Sequence, residues 1–213
     1  MNKFLIAVLV LIFGAMAYIG YYNYVLDHPA PIAKISKSKG LVNVRRDIET
    51  LSGQKGTLLY AGDQLSTSKN SYSRLLMADG TVLMVGANSS LGFNQYNYDS
   101  ETKILNAQLK FIKGAYRFVT GKVVLPRSIQ ISDSRGTKVR LRQGDLFIGN
   151  INNDELDVLL LSAEKAVSVS NKQGKQTLEA NYGTTVIARE APADAEQWSE
   201  EKVAAALALV FEH

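Results

Sequence analysis

The 213-residue sequence contains no cysteine. That absence excludes disulfides, thiolate nucleophiles, cysteine-ligated zinc and a lipid-modified cysteine anchor. Histidine is almost as scarce. His28 lies in a proline-bearing stretch and His213 is the last residue. Neither position suits a buried catalytic triad, and no His-Glu-x-x-His zinc motif can be written. Four prolines are too few for a polyproline tract. There is no G-x-S-x-G elbow. Gly114 to Gly121-Lys122 has the wrong spacing for a P-loop, and Val123 stands where Ser or Thr is needed. Ser66-x-x-Lys69 and Ser162-x-x-Lys165 lack the S-D-N and K-T-G partners of penicillin-binding enzymes. Asp154, Glu155 and Asp157 cluster without the alternation of a calcium loop, and Asn88-Ser89-Ser90 reads as a turn. The sequence therefore predicts no enzyme, no metal and no cofactor.

The charge that is present is unevenly placed. The formal net charge is +4, but residues 29–189 hold 22 basic and 13 acidic groups, whereas residues 190–213 hold one basic and six acidic groups. A basic body attracts anionic partners. Nucleic acid is not expected among them, because no basic motif interleaved with aromatics appears.

Phe4 to Tyr22 carries no charge. About 19 residues of helix rise roughly 28 Å, near the thickness of a bilayer core. Tyr18, Tyr21, Tyr22 and Tyr24 gather at its far end, as an interfacial belt would. Residues 1–26 are read as a signal-anchor at the inner membrane. Alternatively they are a signal peptide cleaved near Ala17, after Ala15-Met16-Ala17. Either reading carries the remainder to the periplasmic side of a bacterial envelope. Residues 27–35, with Pro29 and Pro31, are read as a stiff linker.

From residue 36 to 190 the pattern is of short strands. Arg74–Ala78 and Thr81–Val85 flank Asp79-Gly80, a hairpin signal of the type I′ kind, in which both central residues take φ > 0. Lys103–Phe111 alternates with period two, and Gly114 separates it from Ala115–Val119. Leu156–Leu161 is apolar throughout and is expected to be covered on both faces. Tyr96, Tyr98 and Asp99 are read as a connection. Such spacing predicts an all-β, antiparallel sandwich, jelly roll or barrel-like fold. Residues 191–213 are read as a C-terminal helix over Ala195–Phe211, capped by Asp194 and packed on the β-domain through Trp198, Leu207, Val210 and Phe211.

Thr137–Gln143 alternates most cleanly. Val139 and Leu141 point one way, and Lys138, Arg140 and Arg142 the other, about 7 Å apart along the strand. With Arg135 just before them, these four residues are the predicted partner-binding set. Either cross-strand carboxylates or solvent already satisfy these charges, or an anionic partner does.

The strand signals also resemble the FecR-like periplasmic domain. The resemblance rests on Gly40–Arg46, Ala61-Gly62-Asp63-Gln64-Leu65-Ser66-Thr67, Ser73–Thr81, Asn88–Leu91, Gly114-Ala115-Tyr116-Arg117 and Arg135–Val139, and continues through Asp157–Gly183. It implies a β-sandwich or jelly roll outside the inner membrane. In iron-uptake regulators of that family the domain senses an outer-membrane transducer and signals to a sigma factor through a cytoplasmic region. Only Met1-Asn2-Lys3 precede the apolar run, so that region and its anti-sigma activity are not expected here. The expected function is recognition of another envelope protein in signalling or assembly. The alternative is binding of anionic glycan or lipid headgroups through the basic strand face.

Overall fold

A computed structural model describes residues 10–20, 30–99, 101–102, 105–120, 127–142, 144–149 and 155–210. The ends of the apolar run at 4–9 and 21–22, the linker at 27–29, Gly121-Lys122, Gln143, Asp154 and Phe211 lie outside them. The chain divides into two units, Met1–Ala30 and Pro31–His213. In the first, residues 10–20 form helix α1. Among the described residues no helix is long and apolar enough to cross a membrane.

The second unit is a sandwich of two sheets, and the chain passes repeatedly from one to the other. It opens with β1 (Ala33–Lys39), β2 (Val42–Arg46), β3 (Glu49–Ser52), β4 (Leu58–Leu59) and β5 (Gln64–Thr67). It continues through β6 (Tyr72–Met77), β7 (Val82–Val85), β8 (Ser90–Tyr98), β9 (Leu105–Lys113) and β10 (Ala115–Val119). Next come β11 (Arg127–Ser132), β12 (Lys138–Leu141), β13 (Asp145–Gly149) and β14 (Glu155–Ser162). The chain closes with β15 (Val167–Ser170), β16 (Lys175–Leu178), β17 (Tyr182–Ile187), β18 (Glu196–Gln197) and helix α2 (Glu200–Ala208).

Among the described residues each sheet has nine strands. Sheet A is ordered β18-β17-β14-β13-β10-β7-β6-β1-β4, and sheet B β16-β15-β12-β11-β9-β8-β5-β2-β3. Beyond one inversion at the start of each, both orders follow the sequence. The chain therefore winds along the sandwich instead of returning across it, and neither sheet closes into a barrel. The expected jelly roll and fully antiparallel pairing are corrected here. β9 and β11 pair in parallel, which makes sheet B mixed. The reason lies in the crossing at Gly114. β9 belongs to sheet B and β10 to sheet A, so the chain re-enters sheet B in its earlier direction.

Alternation places one face of each strand in a common core. Ile35, Leu75, Leu83, Phe118 and Val158 of sheet A join Val44, Leu65, Phe93, Leu109, Ile131 and Val169 of sheet B. A second, smaller cluster lies on the other side of sheet A, where Phe147 and Leu159 meet Trp198, Ala206 and Val210. β14 is thus covered on both faces, as its unbroken apolar run requires.

Two sequence motifs prove to be structural pins. Asp63 is buried and receives Arg46 Nε (2.9 Å), Arg46 Nη2 (2.8 Å) and the Tyr60 amide (2.9 Å), while Gly62 takes φ +95°. Asp79 is buried too, and its carboxylate accepts the Thr81 amide (3.1 Å), the Thr81 hydroxyl (2.7 Å) and the Tyr96 hydroxyl (2.5 Å). This last bond ties sheet B to a turn of sheet A. It also explains why β8 runs on through Tyr96 and Tyr98, which the sequence had suggested were a connection. The β6–β7 hairpin forms, but its turn is not type I′. Only Gly80 has φ > 0 (+82°), and its amide donates to Met77 O (3.0 Å). The loop is a turn closed by one left-handed glycine, which frees the Asp79 side chain to point inward.

The C-terminal helix is shorter than expected. Ser199 caps it, accepting the Lys202 amide. Glu196-Gln197 pair with β17 instead. Extended pairing at that point lowers Trp198 onto sheet A, which a helix begun at Asp194 would not do.

Candidate binding faces

The outward side of sheet B is built from the polar half of each alternating strand. β8, β9, β11, β12, β15 and β16 contain no aspartate or glutamate. Their registers align side chains into rows across the sheet. Lys110, Ser132, Lys138, Ser170 and Lys175 stand opposite one another on β9, β11, β12, β15 and β16. Beside them runs a second row, Gln95, Gln108, Gln130, Arg140, Ser168 and Thr177. Adjacent strands lie about 4.8 Å apart, so the three lysines of the first row recur about every 10 Å. No ion pair among the described residues engages Lys110, Lys138, Arg140 or Lys175. The cross-strand neighbours of Lys138 and Arg140 are Ser132, Ser170, Gln130 and Ser168.

Of the predicted partner-binding residues, Lys138 and Arg140 are exposed on this face, while Val139 and Leu141 fill the core. Arg142 is exposed just beyond β12. Arg135 is engaged elsewhere: its Nε lies 3.0 Å from Asp133 Oδ2, within the β11–β12 turn. Sequence reasoning missed Lys110 and Lys175. Their outward parity was legible, but their alignment with Lys138 depends on pairings between distant strands.

A second surface lies on the outward side of sheet A. There α2 covers part of β13 and β14, and a cleft of about 380 Å³ opens between helix and sheet, lined by Leu159, Leu161, Trp198, Val203, Leu207 and Glu200 among others. Lys202 Nζ sits 4.0 Å over the Trp198 ring. Farther along, Leu58, Lys34, Leu76 and Val82 form a row across β4, β1, β6 and β7. Leu58 and Leu76 in it are 40% and 49% exposed.

Asp157 projects on this same side of β14 and is buried. Burial raises its pKa above the ordinary carboxylate value; the Thr185 hydroxyl (2.6 Å) and the Lys202 charge oppose the shift, and Glu155 adds to it. The folded state therefore holds the proton more tightly than the unfolded chain. Stability contributed by Asp157 is full below the ordinary carboxylate range and declines as pH rises through the raised folded value. Asp157→Asn is expected to raise the melting temperature at pH 7 and to change it little at pH 3.5. Thermal melts at the two pH values check this, and an equal shift at both would contradict it.

Among the described residues no group of three or more His, Asp or Glu is placed to hold a metal ion. The outward face of sheet B thus carries cations with no strand carboxylate beside them, and sheet A exposes Leu58 and Leu76 on either side of Lys34.

Residues 63–161 match the family model described as FecR protein. The chain contains a FecR-like domain. The match falls on β5 to β14, strands from both sheets. Two crystal structures, each of a putative anti-sigma factor from Parabacteroides distasonis ATCC 8503, resemble it in fold, with TM-scores of 0.52 and 0.53 at 14% and 15% identity. The alignments cover 68% of this chain and 64% and 63% of those chains, so the present sequence spans less than two thirds of their length. No curated protein matches the chain. Seen against the fold, the Gly-Asp and Asp-Gly motifs of the FecR-like domain are turn pins, and its sheet B face is open.

Proposed function

We propose that the chain is a non-catalytic, envelope-anchored domain that recognises another envelope protein in signalling or assembly. The observation that carries this reading is the FecR match over residues 63–161. The apolar segment holding α1 would anchor it at the inner membrane with the β-domain in the periplasm, or would be removed near Ala17. Exposed Leu58 and Leu76, on either side of Lys34 on sheet A, support a protein contact in which apolar side chains are buried and Lys34 lies at the rim.

Photo-crosslinking in cells from position 76, in the full-length protein, tests the reading. A discrete protein adduct that survives high salt is the expected result, since apolar contacts are little screened. Absence of any protein adduct at Leu76 would overturn the assignment of that row.

A second reading attaches to the other sheet. Lys138, Arg140 and Arg142 would bind anionic glycan or lipid headgroups, with Arg135 held back by Asp133. The absence of carboxylates from the surrounding strands favours it.

A further inference from the structure

We infer that the outward face of sheet B is a binding track for a linear anionic polysaccharide whose acidic groups recur on alternate sugars. The inference rests on the reading of this chain as an envelope recognition domain and specifies what its second surface takes.

Charge is the first argument. None of these six neighbouring strands carries a carboxylate, and β9, β12 and β16 among them present the cations Lys110, Lys138, Arg140 and Lys175, so the face attracts anionic partners. The contrast with sheet A is internal to the molecule. Asp145, Glu155, Asp157 and Glu196 all fall on strands of sheet A. Sheet A strands also carry Lys34, Lys37, Lys39, Arg74 and Arg117, and Glu49 on β3 is the one strand carboxylate of sheet B among the described residues, so the carboxylate-free stretch is the β8–β16 part of sheet B.

Spacing is the second argument. Lys110, Lys138 and Lys175 lie on every second strand of one row, with Ser132 and Ser170 between them. Cations about every 10 Å across a row about 19 Å long match charges that recur, rather than a single compact anion. Extended polysaccharides with one uronic acid per disaccharide offer such a repeat. Serines between the lysines can meet the uncharged sugars.

The neighbouring row supplies the third argument. Gln95, Gln108 and Gln130 stand in register with Arg140. Amide and guanidinium groups donate and accept in planes suited to hydroxyls and carboxylates. A flat lipid surface would use the charges but would leave these amides to water. A folded acidic protein would have to match a strip of alternating Lys and Ser over several strands.

The test uses the full-length protein in nonionic detergent, with hyaluronate as the anionic probe and dextran as the neutral one. Binding to hyaluronate but not to dextran is expected at low ionic strength, weakening as salt is added. The K110S/K138S/K175S variant is expected to lose about tenfold or more in affinity. The K55S/K69S/K165S variant removes the same charge from exposed turns and is expected to stay near the parent. Melting temperatures of both variants should match the parent, because all six side chains are exposed. No hyaluronate binding at low salt, or equal losses in the two variants, would overturn the inference. Binding to phosphatidylglycerol vesicles that hyaluronate does not displace would assign the face to lipid instead. A protein adduct at Leu76 alongside failure here would retain the recognition role and remove the polysaccharide from it.

Discussion

Asp63→Ala is expected to lower the stability of the β-domain by about 2–4 kcal/mol, reducing the melting temperature by about 5–15 °C. The carboxylate is 1% exposed and receives two bonds from one guanidinium and a third from the Tyr60 amide. Its removal strands that amide and breaks a bidentate pair. Arg46 keeps part of its solvation, being 35% exposed, so the loss falls below that of a fully buried pair. It also retains a bond to Leu58 O (3.0 Å) and its place 4.4 Å from the Tyr60 ring. Asp63→Asn keeps the shape and one acceptor and should fall between parent and alanine. Calorimetric melts of the three proteins decide the matter. A change under about 1 kcal/mol for alanine would mean that the turn is held by its backbone alone.

Gly183→Ala is expected to expel the Trp198 ring from sheet A. A Cβ at position 183 would lie 2.5 Å from Trp198 Cε2 and 2.6 Å from its Nε1. The backbone at Gly183 cannot yield easily, because it is paired between β14 and β18, so the ring has to move. Trp198 is the only tryptophan, so its emission reports this contact without interference. A red shift of the emission maximum is expected in Gly183→Ala. Trp198→Ala removes the same anchor directly and should destabilise docking of α2 by about 3–5 kcal/mol. The main core lies on the opposite side of sheet A and does not include Trp198. Early loss of protection in α2, with sheet protection retained, is therefore expected by hydrogen exchange. Unchanged emission in Gly183→Ala, or uniform loss of protection in Trp198→Ala, would contradict this arrangement.

Much of this architecture can be read locally. Asp79-Gly80 between two apolar runs located the β6–β7 hairpin. Period-two alternation located β9 and β12, because a strand half-buried in a sandwich must alternate. It also put Lys138 and Arg140 on one outward face. Three features escaped it for physical reasons. The type of the Asp79-Gly80 turn depends on Tyr96, which reaches the carboxylate from the other sheet. The start of α2 depends on β17, whose free edge recruits Glu196-Gln197 into pairing where propensity alone favours helix. The lysine row depends on the parallel β9–β11 pairing, and periodicity within a strand says nothing about which strand lies beside it. Resemblance to the FecR-like domain pointed to the sandwich, while its Gly-Asp and Asp-Gly motifs turned out to secure turns.

The winding of the chain sets a boundary for anyone who would cut it. The FecR match covers β5 to β14, yet β2 lies beside β5, β1 beside β6, β15 beside β12 and β17 beside β14. Excising residues 63–161 would strip four strands of a partner at once and leave their amides and carbonyls unpaired. Such fresh edges invite pairing with other copies. The recognisable stretch is therefore the middle of a single cooperative sandwich, and a shortened protein intended to remain monomeric has to retain the strands on either side of it.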